Sequence, residues 1–136
     1  MIRSVAAVLA GLGLVSILVD VLEFTLINAV TGGALTDMAG YLAVRNRPAM
    51  LGAQLGYTSI AAVLGGYLTA RVAGTREILH GGVAALAKTT ALAWGFTAGE
   101  YAEFTPVWMR IALVLITGPA MVAGASIRAR AVRSES

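Results

Sequence analysis

The sequence predicts an all-α protein, a four-helix transmembrane bundle with both termini on the cytoplasmic side. Three observations carry this. The chain of 136 residues is 58% hydrophobic and only 12% charged, where soluble domains carry about 25% charged residues. Its apolar residues fall into four long runs. Its basic residues sit at the ends of those runs, as membrane orientation requires, and form no stripe of the kind that binds nucleic acid. With a mean hydropathy of +0.81, the length suits one integral membrane domain over residues 1–136.

The first helix is placed at about 5–30. Its start, Met1-Ile2-Arg3-Ser4 before an apolar run, could open a signal peptide. The run continues past Asp20 and Glu23 and no Ala-x-Ala site follows, so a retained helix is the preferred reading and cleavage the alternative. Thr31-Gly32-Gly33 breaks the helix. In the polar connection beyond, Thr36 or Asp37 can cap a short interfacial helix reaching Val44, with Tyr41 at headgroup level. The second long helix, about 49–72, has no charge between Pro48 and Ala70 and is the clearest span by that criterion. Pro48 suits its first turn and Gly74 its end. The third, about 78–98, holds His80, Lys88, Thr89 and Thr90 and would insert poorly alone. An acidic and aromatic connection from Gly99 through Glu100 and Glu103 to Thr105 leads to the fourth helix, about 106–128. Pro106 opens that helix and Trp108 anchors it. Gly118-Pro119 should bend it, and a short basic tail should follow it.

Orientation rests on Lys and Arg near helix ends. Arg3, Arg71, Arg76, Arg128, Arg130 and Arg133 share one side; Arg45, Arg47 and Arg110 share the other. The richer side is read as cytoplasmic, which puts both termini there.

Gly65-Gly66-Tyr67-Leu68-Thr69-Ala70-Arg71-Val72-Ala73-Gly74, Leu79-His80-Gly81 and Thr105-Pro106-Val107-Trp108 together resemble small four-helix bacterial membrane proteins. The resemblance covers roughly the C-terminal two-thirds of the chain. It implies the helix count and brings no activity, cofactor or site residue with it. Small multidrug exporters are similar in helix count and in carrying an acid in the first helix, but their surrounding motif is not seen here.

Two sets of residues stand out. Gly52, Gly56, Ser59, Val63 and Gly66 recur at steps of three and four along one face of the second helix, and Gly95 and Gly99 repeat the G-x-x-x-G spacing on the third. Small residues let helix backbones approach where lipid supplies no hydrophobic drive. Packing inside one bundle is the plain explanation; a homo-oligomer seam is the alternative. The second set is a charge group. Asp20 and Glu23 are three apart on one face, roughly 24 and 28 Å along the helix from Ser4. Lys88 lies roughly 16 Å beyond Ile78. A lone charge mid-membrane costs about 2.5–3.5 kcal/mol on insertion scales, so Lys88 is expected to pair with Asp20, with Glu23 as second acid.

The absence of Cys removes disulfides, iron–sulfur clusters and thiolate zinc sites. His80 cannot hold a metal by itself. With Glu77 it suits a helix-capping or interfacial role. No H-E-x-x-H, G-x-S-x-G or phosphate-cradling loop occurs. No cofactor and no enzymatic activity is expected. The lipid bilayer is the expected surrounding, with a homo-oligomer or a larger membrane complex as the protein partner and no nucleic acid. The composition favours a small structural or accessory membrane protein. The alternative is a small channel or a proton- or ion-coupled transporter that uses Asp20, Glu23 and Lys88.

Overall fold

The computed structural model describes residues 1–33, 36–99 and 102–135; Glu100, counted above with the acids of the third connection, lies outside them. The described residues are all-helical. In chain order they form α1 (Ile2–Thr31), α2 (Met38–Arg45), α3 (Pro48–Ala73), α4 (Glu77–Ala98), a 3-10 turn (Ala102–Phe104) and α5 (Val107–Glu135).

Local chemistry sets the boundaries. The Asp37 carboxylate, not Thr36, caps α2 by accepting the Gly40 N–H at 2.7 Å. Pro48 stands in the first turn of α3, where its missing N–H costs nothing. Gly74 ends α3 at φ +68, a conformation that a β-carbon would strain. The expected basic tail is instead helix. α5 runs on to Glu135, because Ala129, Arg130, Ala131 and Arg133 are strong helix formers with nothing to stop them. Pro119 lies inside α5.

The pairing of levels gives the directions. Arg3 donates to the Val72 carbonyl at 2.9 Å, and Gly11 meets Gly65, so α1 and α3 are antiparallel. Gly81 meets Ala125 and Thr89 meets Gly118, so α4 and α5 are antiparallel too. Gly66 meets Met121 and Leu51 clusters with Met109, so α3 and α5 run the same way. α3 is the central helix. It packs broadly on α1 and α5 and also touches α4, whereas α1 and α4 meet only sparsely.

Two helices, α1 and α5, are long and apolar enough to cross a membrane. α3, the clearest span by its lack of charge, is not one of them. Gly, Ser, Thr, Gln and Tyr dilute its hydropathy, and these residues suit a helix surrounded by other helices. The outer helices behave oppositely: only 17% of the most apolar stretch of α1 is buried, and 28% of that of α5. Large apolar side chains such as Leu86, Trp94 and Leu115 stand exposed.

The small-residue seams differ from the expected ones. Gly52 and Gly56 face open space, and Ser59 donates only to the Leu55 carbonyl of its own helix. Gly95 is also open, and the nearest neighbour of Gly99 is Gly95. Of the expected small residues, Gly66 is the one glycine pressed against another helix: a methyl there would fall on the Met121 carbonyl. The working seams use Gly11 and Gly65 between α1 and α3, Gly66 and Gly124 between α3 and α5, and Gly81 between α4 and α5. The reason is the face they occupy: Gly52 and Gly56 lie on an exposed face of α3, and Gly95 on an exposed face of α4, with Gly99 exposed just past its end. The tight contacts lie toward the termini.

Candidate functional site

The α2 end of the helices is organised around one carboxylate. Glu23 on α1 accepts four hydrogen bonds: from Tyr41 Oη at 2.6 Å and Arg45 Nε at 2.9 Å on Oε1, and from Tyr57 Oη at 2.9 Å and Gln54 Nε2 at 3.2 Å on Oε2. Helical spacing explains the convergence. Tyr41 and Arg45 are four apart on α2, and Gln54 and Tyr57 are three apart on α3, so each pair shares a face. The Arg45–Glu23 ion pair is well covered, with side chains 17% and 13% exposed. Burial, and after it the bond to Glu23, pushes the Tyr41 phenol above its ordinary pKa.

The network continues sideways. Arg45 Nη1 donates to Thr105 Oγ1 at 3.0 Å, Asn46 Nδ2 to the Phe104 carbonyl at 2.7 Å, and Arg110 Nε to the Thr105 carbonyl at 2.6 Å. α2 is therefore fastened both to Glu23 and to the connection before α5.

Beside this network lies a cavity of about 340 Å³, lined by residues of α1, α3, α4 and α5 and by Arg45 of α2. Asp20, Glu23, Arg45, Gln54, Thr58 and Lys88 contribute its polar wall. Its floor is the tight apolar cluster of Val15, Ala61, Ala62, Ala84, Ala85 and Met121. A second, mostly apolar groove of about 430 Å³ lies between α2 and α4 and shares Arg45, Leu92 and Phe96 with the cavity. Gly95 and Gly99 line this groove, so their missing side chains open space instead of closing a seam.

The structure brings Asp20, Glu23 and Lys88 to one cavity, with partners different from those expected. Lys88 Nζ donates to Ser16 Oγ at 2.8 Å. Among the described residues no carboxylate lies within ion-pair distance of it, and Arg45–Glu23 is the ion pair of this site. Asp20 is exposed at the cavity rim and has no hydrogen-bond or ion-pair partner among the described residues. The physical reason is register: Lys88 stands level with Ser16, one turn (about 6 Å) below Asp20, and Ser16 is the nearer acceptor. Sequence reasoning missed Arg45, Tyr41, Gln54 and Tyr57. The signal available was their i, i+3 and i, i+4 spacing opposite a buried acid.

His80 Nδ1 lies 3.1 Å from the Arg76 carbonyl oxygen at the start of α4. Among the described residues no group of three or more acids and histidines could hold a metal ion. No family model matches the chain, and no curated protein or solved structure matches it.

Proposed function

We propose that the chain is a bacterial inner-membrane protein, a four-helix transmembrane bundle with cytoplasmic termini, that binds and carries a small polar solute. It acts without enzymatic chemistry. The observation that carries this reading is the cavity whose wall holds Asp20, Glu23, Arg45 and Lys88. Composition alone favours an accessory role, in which buried charges neutralise one another in a closed core. Here Glu23 and Arg45 do so, while Lys88 and Asp20 line open space.

Length supports the spans. α1, α3, α4 and α5 have 30, 26, 22 and 29 residues, so each exceeds a hydrocarbon core about 30 Å thick at 1.5 Å per residue. Charge supports the orientation. Of the three arginines on the α2 side, Arg45 and Arg110 are tied up in hydrogen bonds, which leaves Arg47 against the basic residues of the terminal side. A packed floor below Lys88 makes the cavity one-sided, the arrangement of a carrier and not of an open pore.

A second reading, an accessory subunit of a larger membrane complex or a homo-oligomer, draws on one observation. Asp20 is exposed on a membrane-spanning face, and a partner helix would cover it.

The chain has no Cys, so single-Cys variants give a clean test. Thr58→Cys should react with a membrane-impermeant thiol reagent added on the α2 side and not on the terminal side. Ala61→Cys, one turn lower in the floor, should react from neither. A Thr58→Cys protein closed to reagent from both sides would reject the carrier reading and leave the accessory one.

A further inference from the structure

The same cavity carries a statement about its ligand, which rests on the carrier reading above. We infer that the site takes a small zwitterion, its anionic group held by Lys88 and its cationic group by Asp20.

The argument is an inventory of unmet bonds. Glu23 already accepts four donors and is neutralised by Arg45, so neither offers charge to a ligand. Lys88 has three protons and gives one to Ser16. The remaining two face space with no carboxylate at ion-pair distance among the described residues. Asp20 has both oxygens uncommitted. Gln54 donates its NH₂ to Glu23, and its Oε1 is enclosed by surrounding side chains, so it takes no part in holding a ligand.

These groups are ordered along the helix axis. Lys88 lies level with Ser16, and Asp20 stands about 6 Å higher. A positive donor therefore belongs at the upper end and a negative acceptor at the lower. Lys88 and Asp20 already feel one another across the cavity. A simple anion or a simple cation would upset that balance of charge, whereas a molecule with both groups keeps it. The volume, about 340 Å³, is at the small end of ligand pockets.

The test is thermal unfolding of the purified protein with three zwitterions of growing charge separation, alanine, 4-aminobutyrate and 6-aminohexanoate. Butyrate and butylamine are the singly charged controls. At millimolar ligand at least one zwitterion should raise Tm by on the order of 5 °C, with both controls well below it. Lys88→Met and Asp20→Asn should each abolish the rise. Butyrate or butylamine matching the best zwitterion would overturn the inference. So would no response to any zwitterion; if Thr58→Cys were still labelled from the α2 side, only the ligand class would fall and the cavity would stand. Loss of that labelling as well would bring down the carrier reading itself.

Discussion

Glu23→Gln should cost the protein about 3–5 kcal/mol, because it leaves the Arg45 guanidinium covered and without its counter-charge. The same change weakens the bonds from Tyr41, Tyr57 and Gln54. Each unmet polar group adds about 1–3 kcal/mol, although such losses within one network do not sum. Against a typical stability of about 5–15 kcal/mol, this is enough to lower the folded fraction visibly. Adding Arg45→Met removes the orphaned charge and should recover part of the loss. Equilibrium unfolding of the two singles and the double in mild detergent measures the coupling. A double mutant as unstable as the sum of the singles would show that the pair is not energetically linked.

Gly66→Leu and Gly124→Leu should be comparably damaging for a different reason. A β-carbon at Gly66 would fall on the Met121 carbonyl, and one at Gly124 on the Val63 carbonyl. Both obstacles are backbone, so no side chain can swing aside and α3 and α5 must separate. Overpacking of a core costs about 1–3 kcal/mol where side chains can shift; a backbone obstacle should exceed that. Gly52→Leu and Gly56→Leu, which meet nothing, should stay within about 0.5 kcal/mol. Folded yield from size-exclusion profiles separates the two pairs. Equal loss at all four positions would mean that Gly52 and Gly56 are covered by a partner.

Much of the fold was legible because its signals are local. Asp37, Pro48 and Gly74 marked ends by chemistry that acts within one turn. What could not be read was which small residues meet. Gly52-x-x-x-Gly56 and Gly95-x-x-x-Gly99 have the right spacing, but spacing does not report the neighbour across the gap. Those four glycines are exposed, and the contacts fall at Gly11, Gly65, Gly66, Gly81 and Gly124. The site shows the same division. Asp20, Glu23 and Lys88 could be found as costly charges on apolar helices. Their partners could not, because pairing depends on register between helices: a single turn decides whether Lys88 meets Asp20 or Ser16. Arg45 was counted as an orientation signal, whereas its guanidinium is spent on Glu23.

Lys88 is the one lysine in the chain, which makes the central claim directly measurable. That claim is that a water-filled cavity reaches down to Lys88. Native membranes can be treated at alkaline pH with a water-soluble, membrane-impermeant amine reagent and the protein mapped by mass. The account predicts modification of Lys88 as well as of any free amino terminus, with Lys88 reached from the α2 side alone. Lys88 unmodified in membranes but fully modified after denaturation would contradict it, and would mean that the charge group is sealed inside a closed core.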